Sequence, residues 1–134
     1  MYEKMIDTVP DSVAAIDSDG YIMVSNNNLF SGYEQGTEGK HLSEIMTDDD
    51  LDESAELVKE LLRNDDTEYV THEYELIDAD GEHIPVESRF SLLPFEDGEF
   101  QGTASVTRDI SERKEREEEI KRKNRQLELL NRIV

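Results

Sequence analysis

Residues 103–114 read TASVTRDISERK. In this stretch a strand passes into a helix with almost no connecting residue. From Gly102 to Arg108, apolar Ala104 and Val106 alternate with Thr103, Ser105 and Thr107, the period-two pattern of a half-buried strand. Asp109-Ile110-Ser111-Glu112 follows, and an Asp with a Glu three positions later can close a capping box at a helix start. From Ser111 to Val134 there is neither Gly nor Pro, and Glu, Lys and Arg dominate, so a helix is expected. A strand that feeds a helix directly couples the two mechanically. Asp109, Ile110 and Glu112 are therefore the expected coupling residues.

Working back from this junction, three strands are expected at Glu68–Ile77, His83–Leu93 and Glu99–Arg108. Their connectors are Asp78-Ala79-Asp80-Gly81 and the stretch from Pro94 to Gly98. Further upstream, Leu51, Ala55, Val58, Leu61 and Leu62 recur at helical spacing, which predicts a helix over 51–63. Asp48 or Asp49 would cap it, and the acidic first turn suits its dipole. Val13–Ile16 and Tyr21–Val24 flank Asp17-Ser18-Asp19-Gly20 and read as a hairpin. Residues 26–40 hold three Gly and short apolar clusters, which suggests helical turns and loops. The first ten residues form an amphipathic lead-in ended by Pro10-Asp11. The expected organisation is a lead-in over 1–10, a domain over 11–110 and a helix over 111–134. An antiparallel five-stranded sheet with helices on one face is an α+β fold.

Strand, D-I-S-E-R-K and charged helix together resemble the C-terminal end of a PAS sensor domain. Upstream, Asp17-Ser18-Asp19-Gly20 leading into a strand that ends at Asn26 is similar to the family's D-x-x-G turn. Gly32-Tyr33, Gly39-Lys40 and Asp78-Ala79-Asp80-Gly81 follow in the family's order, and the whole covers about residues 5–115. The resemblance implies the PAS fold, its two halves side by side in a curved sheet, and a ligand pocket between sheet and helices. Only five residues separate Asn26 from Gly32, fewer than in the family, which implies shortened helices beneath that pocket.

Composition narrows the function. The chain has 134 residues, 35 % of them hydrophobic and 7 % aromatic, enough for one domain with a modest core. It lacks cysteine, so disulfides, thiolate metal sites and cysteine nucleophiles are excluded. No apolar run nears the ~20 residues of a membrane span, and no leader pattern opens the chain. Residues 1–110 carry 28 Asp and Glu against 6 Lys and Arg, a net charge of −22, whereas residues 111–134 carry +2. Such a polyanion repels phosphate backbones and anionic lipids, so neither nucleic acid nor membrane is an expected partner. A cytoplasm of very high salt, which screens this charge, is the simplest setting; a basic partner is the alternative.

Two D-x-D-G stretches invite a calcium reading, but positions 5 and 12 of such loops need an oxygen ligand and a Glu. Counting from Asp17 gives Tyr21 and Asn28, and from Asp78 Glu82 and Arg89. Hairpin turns fit better. His41, His72 and His83 form no metal-ligand spacing. In haem-binding relatives the ligand lies on the long helix, and residues 51–63 hold no His, so haem is not expected. Flavin photochemistry through a cysteine adduct is excluded; a non-covalent flavin stays open, without a Trp to line its site. No phosphate-cradle or nucleophile-elbow motif occurs, and no enzymatic activity is expected of this segment.

A small organic ligand is the remaining candidate. On periodicity, Tyr74, Leu76, Val86, Ser88, Phe90, Ala104 and Val106 share a sheet face opposite Leu57, Val58 and Leu61. The plain reading of these residues is core packing. Asn26, Tyr33, His72 and Ser88 are the polar groups a pocket would use to orient a ligand.

In the terminal helix, Ile120, Leu127 and Val134 are seven apart and Leu130 takes the companion position, about two heptads of coiled coil. A homodimer through this helix is expected; a solvated, fraying helix is the alternative. Leu127–Val134 also resembles the segment preceding the phosphoacceptor helix of PAS-linked histidine kinases, especially those of salt-loving archaea. The resemblance implies a sensory module of a two-component kinase, with an output domain beyond residue 134. A ligand-free dimerisation module of a transcription regulator is the second reading.

Overall fold

The structure, a computed structural model, describes residues 11–26 and 37–133; the expectations placed on the lead-in, on Tyr33 and on Val134 fall outside them. The elements are β1 (Ser12–Asp17), β2 (Ile22–Ser25), a 3₁₀ turn (Leu42–Glu44), α1 (Asp48–Arg63), β3 (Val70–Ile77), β4 (His83–Leu92), β5 (Gly102–Asp109) and α2 (Ser111–Ile133). The strands form one antiparallel sheet in the order β2-β1-β5-β4-β3. The first hairpin and the last three strands thus join through β1 and β5, which pair from Ser12↔Thr107 to Asp17↔Gly102.

Both D-x-D-G turns close in the same way. The Oδ1 of the leading Asp accepts two backbone N–H groups, from Asp19 and Tyr21 in one turn and from Asp80 and Glu82 in the other, all at 2.9 Å. Gly20 and Gly81 supply the positive φ of 91° and 82° that these turns need. The leading carboxylates are thereby spent on the backbone, as hairpin turns require.

α1 begins three residues earlier than its apolar pattern indicates. Thr47, not Asp48 or Asp49, is its cap, with Oγ1 accepting the Asp50 N–H at 3.2 Å. The three aspartates fill the first turn instead, beside the positive end of the helix dipole. The core cluster is formed by buried Ile16, Ile22, Ile45, Met46, Leu76 and Val86.

The parity of β5 reverses the expected one. Thr103, Ser105 and Thr107 are buried, whereas Val106 is 43 % exposed. The register explains this: Thr107 stands across from Ser12 and Ser88, and Ser105 across from Ala14 and Phe90. Ala104 and Val106 therefore face the opposite side of the sheet from Tyr74, Val86 and Phe90. Two small apolar side chains are too weak a stripe to set the strand's orientation against its neighbours' pairing.

Candidate functional site

Between the inner sheet face and α1 lies a cavity of about 440 Å³, within the size range of small-molecule sites. Its sheet wall comes from Ile16, Tyr74, Phe90, Thr103 and Ser105, and its helical wall from Leu51, Ser54, Ala55, Val58, Lys59 and Leu62. His41, Leu42 and Met46 close one end. The helical positions follow an i, i+3, i+4, i+7 pattern, one stripe of the helix. The lining is mostly apolar; its polar members are the Asp17-Ser18-Asp19 turn, His41, Lys59 and a few hydroxyls.

Two of those hydroxyls decide the chemistry. Thr103 and Ser105 are buried and open into the cavity, and among the described residues no side-chain hydrogen bond engages either of them. Neither hydroxyl is among the fully buried atoms left without a hydrogen-bond partner; both reach the open cavity. A ligand able to exchange hydrogen bonds with Thr103 and Ser105 finds them free to respond.

Deeper in the domain, three polar side chains bond one another. Tyr74 Oη pairs with Ser88 Oγ at 2.7 Å, and Ser88 Oγ with Thr107 Oγ1 at 2.6 Å. This hydroxyl chain ties β3, β4 and β5 together. Burial, the largest influence, raises the Tyr74 phenol above its ordinary value of 10.0, and the nearby Asp50 charge acts in the same direction.

The expected pocket residues divide accordingly. Tyr74 and Phe90 line the cavity. Ser88 lies behind them in the hydroxyl chain, fully buried. His72 is buried against α1, with Nδ1 at 3.2 Å from Ser54 Oγ and Nε2 at 3.0 Å from Glu53 Oε2. Leu57, half-buried, and Leu61, buried, belong to the neighbouring helical stripe and not to the cavity wall. Asn26 is a clamp between strands: Oδ1 accepts the Val13 N–H at 3.0 Å and Nδ2 donates to the Asp11 carbonyl at 3.0 Å. Ala104 and Val106 are removed from the cavity by the parity of β5; Val106 lines a shallow polar hollow on the outer face with Asp11, Thr71, Glu87, Arg89 and Arg108. The pattern pointing to Thr103 and Ser105 was their alternation, which read as a solvent face. His41 lines the cavity but is also held at both ring nitrogens, with Nδ1 at 2.9 Å from Ser43 Oγ and Nε2 at 2.9 Å from the Asp19 carbonyl oxygen.

The second part of the site is the exit. Ile110 alone separates β5 from α2. Its N–H donates to the Pro85 carbonyl at 2.9 Å, its carbonyl accepts the first helical N–H from Lys114 at 3.0 Å, and its side chain is buried. Asp109 Oδ1 accepts both the backbone N–H and the hydroxyl of Ser111. This is a local Asx turn, and Glu112 stays exposed where a capping box would turn it back on the strand.

An ionic clasp also fixes the first turn of α2. Glu73 and Glu87 stand directly across from each other on β3 and β4, a like-charge pair that is unfavourable alone. Arg113 bridges both carboxylates, and Lys114 Nζ reaches Glu73 at 3.2 Å. The Lys114 hydrogen bond, chief among the influences, and the two basic charges hold the Glu73 carboxyl below its ordinary 4.5, against a smaller burial effect. A carboxylate with a lowered folded pKa stabilises above its unfolded value, and the contribution is lost as pH falls through the folded one. The clasp is thus expected to hold from neutral pH to about 4.5 and to release below it. Amide exchange of residues 111–117 against pH measures this, and Glu73→Gln should remove the dependence.

Further along α2, Ile120, Leu127, Leu129 and Leu130 are all exposed; Ile120, Leu127 and Leu130 share one side of the helix, an apolar stripe uncovered in the single chain.

Comparison with known proteins adds the following. The sequence pattern of one family, described as the PAS fold, matches residues 6–115. No curated protein matches the chain. Among solved structures, a PAS domain from Colwellia psychrerythraea is similar with a TM-score of 0.69 and 20 % identity, over 83 % of this chain and 95 % of that one. The PAS domain of an HTR-like protein from Haloarcula marismortui gives 0.63 and 20 %, over 81 % and 88 %. A sensory box histidine kinase/response regulator from Burkholderia thailandensis gives 0.69 and 18 %, over 95 % and 97 %.

Proposed function

Because the chain belongs to the PAS family, we propose that it is a sensory module that binds a small organic molecule and passes the event through α2 to an output domain. The observation that carries this is the double role of β5. Thr103 and Ser105 present unpartnered hydroxyls to the cavity, and the same strand runs through Ile110 into the helix. A ligand that draws on those hydroxyls acts on the strand at whose end α2 begins. It transmits a signal only if it binds the two helix arrangements with different affinity.

The cavity chemistry describes the ligand: an apolar body against Leu51, Val58 and Phe90, with hydrogen-bonding groups toward Thr103 and Ser105. The exposed stripe of Ile120, Leu127 and Leu130 suits a parallel homodimer through α2. The output is a histidine kinase on this reading, as in the solved Burkholderia protein named above. The segment itself carries out no turnover.

Native mass spectrometry of the purified protein in high salt reports both oligomeric state and any retained molecule. A dimer with a retained small mass is the expected result. Ser105→Leu fills the cavity and should abolish that mass while the circular dichroism spectrum stays unchanged. As a second probe, a set of small amphipathic alcohols and acids should shift the methyl resonances of Leu51 and Val58. A monomer with no retained mass, and no such shifts, would refute the reading.

A further inference from the structure

The cluster at the open side of the His72 ring is not explained by the cavity or the exit. Asp50 and Glu53 lie three apart on α1 and share one helix face. His72 projects from β3 toward them. The three side chains each offer a ligand atom, and these atoms lie within 4.8 Å of one another. The imidazole is 8 % exposed, and Ser54 holds its Nδ1. Ser54 is itself buried, on the inward face of a helix where an apolar residue would serve packing as well. Its hydroxyl fixes the ring so that Nε2 points at the carboxylates, the outer support typical of metal-binding histidines.

The geometry admits a cation. With Nε2–H donating to Glu53 Oε2 at 3.0 Å and the Ser54 hydroxyl donating to Nδ1, the neutral ring is paired; in the other tautomer the Nε2 lone pair faces the carboxylates and can take a metal ion in place of that proton. Asp50 Oδ2 accepts the Glu75 N–H at 3.3 Å and keeps lone pairs for a further bond. A divalent ion draws in all three groups and balances two carboxylates. One nitrogen and two oxygens suit a transition metal such as zinc, whereas calcium and magnesium prefer oxygen alone. The Glu53 side chain is 70 % exposed, which leaves a path from solvent and room for water ligands.

We infer that Asp50, Glu53 and His72 form a divalent transition-metal site that clamps α1 to β3. The His72 ring stacks on Tyr74 at 4.8 Å and meets Phe90 edge-on at 6.3 Å; both of those residues line the cavity. Metal binding therefore tightens the helical wall against the sheet wall of the pocket. Through Tyr74 it also reaches the hydroxyl chain to Thr107 on β5. The ion acts as a second input, distinct from the organic ligand.

The test is calorimetric titration of the metal-free 134-residue chain with ZnCl2 and separately with MgCl2 at pH 7. One zinc per chain is expected, with little magnesium binding. Glu53→Gln and Asp50→Asn should each weaken zinc by roughly tenfold or more. Glu53→Gln alters an exposed side chain, so the fold should persist, and circular dichroism checks it. In the wild type, zinc should shift the His72 ring Nε2 resonance. The inference is overturned if zinc does not bind at millimolar concentration, if Glu53→Gln leaves its affinity unchanged, or if magnesium binds equally well. None of these results bears on ligand retention in the cavity, so the two proposals fail separately.

Discussion

Gly102→Ala is expected to cost about 3 kcal/mol, roughly a 10 °C fall in midpoint for a domain of this size. Gly102 has φ = 127°, a region that residues with a Cβ rarely adopt. A Cβ there would overlap the Ile16 carbonyl oxygen and sit 2.9 Å from Asp17 backbone atoms. The obstacle is backbone on β1, not a side chain that can rotate away. The residue also ends the β4–β5 connection, its carbonyl accepting the Leu93 N–H at 2.9 Å. Since total stability is commonly 5–15 kcal/mol, this one methyl group removes a large share. Urea denaturation measures it. A loss under ~1 kcal/mol would mean that β1 and β5 do not pair as described.

Ile110→Ala is the second large effect, about 2–4 kcal/mol at the junction. The side chain is 4 % exposed, and between strand and helix it is the one residue that holds both backbones. Asp109→Ala removes only the Asx turn onto Ser111 and should cost about 1 kcal/mol. Hydrogen exchange separates the two. In Ile110→Ala the amides of the first turn, Lys114 foremost, should lose protection while β1 keeps its own. In an intact parent protein both variants should leave the sensor folded and weaken its control of output, Ile110→Ala more severely. Unchanged protection at Lys114 would show that the ionic clasp alone holds the helix.

The element order and the junction were legible because each rests on local chemistry. D-x-D-G specifies its turn through one carboxylate and one glycine, and Asp109-Ile110-Ser111 specifies a strand stop and a helix start within three residues. The direction of β5 was not legible, because its alternation is symmetrical. Thr103, Ser105 and Thr107 could face either way, and pairing with β1 and β4, 85 to 95 and 11 to 23 residues distant along the chain, decides. The cavity hydroxyls were lost with that choice. The role of Asn26 was hidden for a related reason: its partners are Val13 on β1 and Asp11 just before it. Asp50, Glu53 and His72 escape any spacing rule, since a helix and a strand bring them together across 19 to 22 positions.

The position of β1 beside β5 also governs how the molecule comes to exist. The inner strands of the sheet join residues 12–17 to residues 102–109, so the central pairing has a high contact order and is slow to form. During synthesis, β1 and β2 wait as an isolated hairpin, marginal in water, until almost the whole domain has left the ribosome. The last strand to arrive completes the sheet, and its next residues begin α2. Completion of the sheet and emergence of the helix that leaves it are thus a single event, and a nascent chain interrupted before residue 102 has neither.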